Sequence, residues 1–375
     1  MAILPPATLG IIGGGQLGRM FVTAARTMGY EVIVLEPDPD SPAGSLASDH
    51  IVKPYDDIKA LDYLAQQCSV VTTEFENIPV CALQHLAQHC TVYPSADALS
   101  ITQNRIREKS FIQSLGLMTS PFIAVESASD LDDLNAMQFP AILKTATLGY
   151  DGKGQVVCDN VQQAREAFAQ MDAACVLEQK IDLAKEVSVV LARSQQGQAY
   201  CFPLAQNEHV NGILDVSIVP AEVTDSMADA AKLAAQKIAR GLNYCGVLAV
   251  EFFISNKGEL LVNEIAPRPH NSGHFTLDAC YSSQFEQQLR MVCDLPSANC
   301  DLHTPVAMLN LLGDVWPASG QPAWDEVLDI DRAYLHLYGK KQARTGRKMG
   351  HINFLADDVA TSREHMLVAR KLMLN

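Results

Sequence analysis

Two carboxylates embedded in apolar stretches are the first place to look for chemistry in this chain. Leu248-Ala249-Val250-Glu251-Phe252-Phe253-Ile254 and Glu259-Leu260-Leu261-Val262-Asn263-Glu264-Ile265 both read as strands, each broken by an acid. Asn256-Lys257-Gly258 between them is turn chemistry. A loop of the two residues Lys257-Gly258 pairs Asn256 with Glu259 and sets Glu251 opposite Glu264, whereas a three-residue turn offsets the acids. Directly opposed residues have Cβ atoms roughly 4.5–5.5 Å apart, and a charge within an apolar strand is costly unless compensated. A hard divalent cation compensates both acids, because Mg²⁺ takes one or two protein carboxylates together with substrate phosphates. The plain alternative is a solvated hairpin with two outward acids.

Directly after the second strand comes Ala266-Pro267-Arg268-Pro269-His270-Asn271-Ser272-Gly273-His274. The prolines stop the strand. Arg268, His270, Asn271 and His274 are left on a rigid loop, where a cation can meet a transferring phosphoryl group. Upstream, Phe139 to Lys144 reads as a strand ending in a lysine, a point charge for a phosphate. Thr147-Leu148-Gly149-Tyr150-Asp151-Gly152-Lys153-Gly154-Gln155 follows, and its glycines let backbone amides approach a polyphosphate and fold over it. It is not a Walker loop, and a plain glycine-rich hairpin is the alternative. Near the C-terminus Lys340, Arg344, Arg347 and Lys348 concentrate positive charge, which suits an anionic ligand such as a sugar phosphate. A solvated basic turn is the bland reading.

The elements that position these groups begin with Thr8 to Ile12, a short buried strand. Gly13-Gly14-Gly15-Gln16-Leu17-Gly18 and a helix to Met28 come next, then the strand Glu31 to Glu36. Strand, glycine turn, helix, strand and a closing acid match the dinucleotide fingerprint. An NAD-dependent oxidoreductase is therefore the competing function, and a non-catalytic ATP sensor is a third. Ser69 to Thr73 is a further strand, with Glu74 and Glu76 beyond its C-terminal end, where ligands of parallel sheets bind. Glu74 reads better as an N-cap or first-turn acid of the next helix. Asn104 to Leu115 is a helix carrying Arg105, Arg107 and Lys109, with Arg107 solvated. Ala174 to Ile181 is a strand whose free edge can hydrogen-bond an adenine, and Glu186 beyond it can take ribose hydroxyls. Ser226 to Gly241 is a core helix, and the chain beyond Leu295 has β character.

The chain has 375 residues, 48% hydrophobic and 19% charged, enough for two or three domains with real cores. A net charge of −15 argues against nucleic acid or an anionic membrane surface as a partner. Ten cysteines without a C-x-x-C read as reduced, mostly buried thiols of a cytoplasmic protein. No leader-like N-terminus and no membrane-length apolar run is present.

Taken together, these motifs resemble the ATP-grasp superfamily, and within it the family that carboxylates 5-aminoimidazole ribonucleotide in purine synthesis. The resemblance is carried by Gly13 to Met20, Thr73 to Asn77, Gly149 to Gly154, Asn263 to His274 and Gly346 to His351, in order over nearly the whole chain. It implies α/β and α+β architecture: a Rossmann-like pre-ATP-grasp domain (1–103), a small lid (104–183), a large subdomain with the Mg²⁺ site (184–300) and a C-terminal β-rich extension (301–375). It implies ATP held by Arg105, Lys144, the loop Gly149, Tyr150, Asp151, Gly152, Lys153, Gly154 and Gln155, with Glu178, Gln179, Lys180 and Ile181 at the adenine. Glu186 takes the ribose, while His209, Asn263 and Glu264 line the nucleotide pocket. Glu251 and Glu264 hold Mg²⁺, for which Mn²⁺ substitutes. The superfamily's further metal-binding Asn, two residues beyond the second Glu, is Ala266 here, so a second metal lacks that ligand. Gln16, Leu17, Glu76, Lys340 and Arg347 bind the ribonucleotide, and Arg268, Tyr150, Asp151, His270 and Asn271 are catalytic. The implied reaction consumes ATP and bicarbonate through carboxyphosphate, in a homodimer that hands its product to the mutase of the next step.

Overall fold

The computed structural model describes residues 2–132, 134, 139–149 and 154–374, which build three sheets. Near the N-terminus short apolar strands alternate with helices, as in parallel sheets covered on both faces. The elements are β1 (Thr8–Ile12), α1 (Gln16–Thr27), β2 (Glu31–Leu35), β3 (Asp49–Ile51), α2 (Ile58–Gln67), β4 (Val70–Thr73), α3 (Val80–Leu86), β5 (Val92–Tyr93) and α4 (Ala96–Thr102). The strands lie parallel in the order β3-β2-β1-β4-β5. The order switches between β1 and β4, so the loops after Ile12 and Thr73 meet at the crevice where such sheets bind ligands.

A helix, α5 (Arg105–Ser114), capped by the Asn104 side chain, leads into the smallest sheet. This contains β6 (Phe122–Val125), β7 (Ala141–Thr145), β8 (Gln155–Cys158) and β9 (Cys175–Gln179), backed by α6 (Val161–Met171). The order is β6-β9-β7-β8, all antiparallel. The strand expected to offer a free edge to adenine is β9, and it has none: Glu178 pairs with Phe122 on one side and Ile142 on the other. Past the strand, the Lys180 N–H already donates to the Pro140 carbonyl at 3.0 Å.

The largest sheet begins with β10 (Leu183–Arg193), β11 (Ala199–Cys201), β12 (Ala205–Val210) and β13 (Ile213–Val219). It continues through α7 (Asp225–Gly241) to β14 (Gly246–Ser255) and β15 (Leu260–Ala266). Helices α8 (Thr276–Ala279) and α9 (Gln284–Val292) follow, then β16 (Val306–Leu312), α10 (Trp324–Leu328), β17 (Ala333–Leu337), β18 (Lys348–Leu355) and α11 (Val359–Leu374). The path is β15-β14-β10-β12-β13-β16-β18-β17, with β11 paired to β10. The C-terminal strands thus extend the large sheet through the β13–β16 pairing. The β reading of this region missed α11, although Met366, Ala369 and Met373 recur at helical spacing and pack on β16 and β18.

Alternation along β10 and β14 divides two cores. Val187, Val189, Leu191, Leu248, Val250 and Phe252 pack with Ala231, Ala235 and Ile238 of α7. Val190, Ala192, Val247 and Ala249 face Phe275 and Met291 on the other side. That second face turns polar at Glu186, Ser188 and Glu251, where the apolar cover ends. Helix α9 joins the two halves, since Phe285, Leu289 and Val292 pack against Phe21, Val22 and Ala25 of α1.

Candidate active site

Glu251 and Glu264 lie directly opposite each other across β14 and β15. They arrive there by a different route from the two-residue loop read in the sequence. The loop is Asn256 to Gly258: Ser255 N–H donates to the Glu259 carbonyl at 3.0 Å, and Gly258 takes a left-handed φ of 77°. Alone, that turn shifts the register, giving Ile254 opposite Leu260 and Phe252 opposite Val262. An irregularity between Glu251 and Phe252, with Asn263 as the extra residue, shifts it back.

Both acids are engaged by side chains from other segments. The Arg105 guanidinium of α5 lies 3.1 Å from Glu264 and donates to the Gly149 carbonyl at 3.4 Å, linking the acid pair to the glycine-rich loop. His270 Nε2 lies 3.1 Å from Glu251. Burial pushes the Glu251 carboxyl up, but the hydrogen bond from His270, with His209 and Arg268 nearby, outweighs it and holds the group at about 2.

A directional chain fixes His270. Ser217 Oγ donates to Asn207 Oδ1 at 2.8 Å, Asn207 Nδ2 to Ser188 Oγ at 2.9 Å, and Ser188 Oγ to Ser272 Oγ at 2.7 Å. The remaining Ser272 hydroxyl hydrogen points to His270 Nδ1, 2.8 Å away. Nδ1 is then the acceptor, and Nε2–H faces Glu251. Gln284 clamps the same loop, accepting from the His270 N–H and donating to the His270 carbonyl, each at 2.8 Å. Arg268 forms a two-point ion pair with Glu76. Burial raises the Glu76 carboxyl, yet the Arg268 charge and hydrogen bonds bring it down to about 2.

Lys144, one residue before the end of β7, reaches Glu178 at 3.1 Å, and Lys109 reaches the same carboxylate at 3.2 Å. Glu178 is thus held inside by two ammonium groups, and burial lowers the affinity of Lys144 for its proton. Sequence reasoning missed Lys109 and Glu108. The signal was their spacing, since Arg105, Glu108, Lys109 and Ile112 share one face of α5. Glu108 accepts from the Ile265 N–H at 2.7 Å, and burial with Glu264 nearby pushes its carboxyl up to about 8. Beside the acids, His209 Nδ1 stands 2.6 Å from Glu186. Burial opposes its protonation, but Glu186, Glu251 and Glu264 raise its proton affinity overall.

The glycine turn of the N-terminal sheet is occupied by the protein itself. Glu74 accepts from the Gly15 and Gly18 N–H groups at 2.7 and 2.6 Å, at the start of α1. A Cβ at Gly15 would fall 2.3 Å from Glu74 Oε1, so the glycine makes room for that carboxylate. Glu36 accepts from Gly14 N–H at 2.8 Å and from the Tyr55 hydroxyl at 2.6 Å. The NAD reading fails here, because the amides that would hold a pyrophosphate are taken. Glu74 caps the first helix rather than the next one.

One cavity of about 920 Å³ gathers these groups. It is lined by Gln16, Leu17 and Glu76 beside the N-terminal sheet; Arg105 of α5, Lys144 and Gln155 of the smallest sheet, and Gly149 between them; and Glu186, His209, Glu251, Asn263 and Glu264 of the large sheet. The loop residues Arg268, His270 and Asn271 and the C-terminal Lys340 and Arg347 complete it. The Asn271 amide nitrogen is buried with no partner among the described residues, a donor aimed at no protein group. Glu178, Gln179, Lys180 and Ile181 do not line the cavity, nor does Gly154, whose carbonyl accepts from Thr145 N–H at 2.8 Å. Tyr150, Asp151, Gly152 and Lys153 lie outside the described residues.

Comparison with known proteins agrees with this arrangement. The family profile of the ribonucleotide synthetase preATP-grasp domain matches residues 6–103, and that of the ATP-grasp domain residues 110–285. The phosphoribosylaminoimidazole carboxylase C-terminal domain matches residues 306–365. An N5-carboxyaminoimidazole ribonucleotide synthase of Brucella melitensis biotype 1 is 47% identical over 355 residues, covering 94% of this chain and 97% of its own. One from Bacillus subtilis is 46% identical, covering 94% and 92%. A solved N5-carboxyaminoimidazole ribonucleotide synthetase with ADP superposes with a TM-score of 0.93 at 44% identity, covering 98% of this chain and 97% of that one. The Aspergillus clavatus N5-carboxyaminoimidazole synthase with ADP and 5-aminoimidazole ribonucleotide superposes at 0.89 with 27% identity, covering 98% of each.

Proposed function

The chain belongs to the N5-carboxyaminoimidazole ribonucleotide synthase family of ATP-grasp ligases, and from that premise we propose how its residues divide the work. It is an ATP-dependent carbon–nitrogen ligase of purine synthesis that carboxylates 5-aminoimidazole ribonucleotide. The observation that carries the division of labour is the single cavity, whose lining gathers the acid pair, Arg105 and Lys144 together with the C-terminal Lys340, Arg344, Arg347 and Lys348.

For the nucleotide, Arg105 and Lys144 meet the polyphosphate, and the loop from Gly149 to Gln155 covers it. Leu183, Glu186 and His209 flank the nucleoside. Glu178 acts one step back, holding Lys144 and Lys109 in place rather than touching adenine. Glu251 and Glu264 fit a hard divalent cation: they are directly opposed, line the cavity, and are met there by the side chains of His270 and Arg105. They would hold Mg²⁺, or Mn²⁺ in its place, which when bound supplies positive charge to the phosphoryl oxygens. The position of the superfamily's additional Asn ligand is Ala266, which contributes a methyl group to the core beneath.

A bicarbonate oxygen attacks the γ-phosphorus, the bond to ADP breaks, and carboxyphosphate results. The exocyclic amine then attacks its carbon, the carbon–oxygen bond breaks, a proton leaves the amine, and phosphate departs. Arg268, held by Glu76, offers positive charge to the transferring group; position and charge are most of what this chemistry asks. His270 and Asn271, with Tyr150 and Asp151, orient the amine and ribose, and Lys340 and Arg347 take the 5′-phosphate near Gln16 and Leu17. Closure of the glycine loop keeps water from the labile intermediate. A homodimeric cytoplasmic enzyme, passing its carbamate to the next mutase, belongs to the same proposal. All ten cysteines are free, in accord with that compartment, and no helix among the described residues is long and apolar enough to cross a membrane. Domain limits at 103, 183 and 300 complete it.

ADP release measured with and without aminoimidazole ribonucleotide tests the reading. Release should depend on Mg-ATP and rise sharply with the ribonucleotide. ATP binding without ribonucleotide-stimulated turnover would leave only a nucleotide sensor.

A further inference from the structure

A cluster outside the cavity carries a second ligand chemistry. We propose that Asp62, His85 and His89 form a divalent transition-metal site, of the zinc class, that ties α2 to the end of α3. His85 lies in the last turn of α3. Helical hydrogen bonding continues past it, with Ala87 N–H donating to Leu83 and Cys90 N–H to Leu86, both at 2.9 Å. His85 and His89, four apart, therefore share one face. Asp62 comes from the middle of α2, and its Oδ1 stands 2.7 Å from His85 Nε2.

The imidazole rings are 5.3 Å apart between centroids, and one ligand atom from each of the three residues lies within 4.8 Å of the others. Ligands of a tetrahedral zinc at about 2.0–2.1 Å stand roughly 3.3 Å apart, so rotation of the side chains brings this set to bonding distance. The scaffold beneath is firm: Leu61, Leu64, Ala82, Leu83 and Leu86 are packed in one core. Asp62 and His85 keep 45% and 23% of their side chains exposed, which leaves an open side for water or a further ligand.

The donor set separates this site from the acid pair. Two imidazoles and one carboxylate select zinc, cobalt or nickel, whereas an all-oxygen set suits magnesium. None of the three residues lines the active-site cavity. An ordinary Asp62–His85 surface pair gives His89 no role, and that difference is what the test uses.

Full-length protein freed of metal with chelator is titrated with Co²⁺ while excess Mg-ADP occupies the active site. Wild type should bind one Co²⁺ per chain with visible d–d absorption displaced by Zn²⁺. His89→Ala, which keeps the Asp62–His85 pair, should weaken binding at least about tenfold, as loss of a ligand does, and His85→Ala/His89→Ala should abolish it. Ligase activity with Mg-ATP should be unchanged in both, and Zn²⁺ should raise the melting temperature of wild type alone. Equal Co²⁺ binding and spectra in wild type and the double variant, or no binding by wild type, would overturn the proposal.

Discussion

Glu264 and Arg347 line one cavity and are proposed to serve different substrates, so their replacement should separate the two halves of the reaction. Glu264→Ala leaves Glu251 without its opposing ligand, and ATPase activity at saturating Mg²⁺ should fall by at least about a hundredfold, as for loss of a principal electrostatic group. Near-normal turnover would remove the acid pair from the mechanism. Arg347→Ala removes ground-state binding at a remote charge, so the KM for aminoimidazole ribonucleotide should rise while that for ATP stays put. The reverse pattern would mean the two assignments are exchanged. Glu76 gives a pH signature. Its carboxyl falls from an ordinary 4.5 to about 2 in the folded protein, so its stabilising contribution is full above the unfolded value and lost as pH falls through the folded one. The stability gap between wild type and Glu76→Gln, read by urea unfolding, should therefore narrow as pH falls from about 4.5 toward about 2. A constant gap would show that the Arg268 pair is not its source.

At the scale of elements, what the sequence revealed depended on whether a feature was local. The period of β14 and β15 and the embedded acids were legible, and so was the placing of Arg268, His270 and Asn271 on a loop that two prolines set off from the strand. The turn length was not, because a three-residue loop and a bulge at Asn263 each shift the register by one and cancel. The free edge expected of β9 failed for a longer-range reason: only strand order shows that β6 and β7 flank it. Glu74 failed likewise, since its partners Gly15 and Gly18 are more than fifty residues away. Gln284 gave no sequence signal, yet it holds both backbone groups of His270. Gln284→Ala should lower kcat by at least about tenfold through loss of orientation, with the KM for ATP little changed. Gln284→Glu, which keeps the acceptor and loses the donor, should fall between. Equal loss in both variants would indicate disruption of the core instead of the clamp.

The whole molecule is three sheets converging on one chamber, with α9 bridging the N-terminal and large sheets and the C-terminal strands continuing the latter. Such an arrangement suits an intermediate that must be made and consumed in one chamber without meeting water. The chamber holds carboxylates, guanidinium, imidazole and amide groups, and its described lining contains no cysteine or serine to carry a covalent intermediate. In the proposed reaction bicarbonate itself attacks phosphorus. Turnover in ¹⁸O-labelled bicarbonate tests it most directly, with the released phosphate analysed by mass spectrometry under conditions of tight coupling. If carboxyphosphate forms, the bridging oxygen leaves with phosphorus, and each phosphate should carry one oxygen from bicarbonate. If the amine instead captures dissolved CO₂ while water hydrolyses ATP separately, the phosphate should carry no bicarbonate label, and that result would contradict the account.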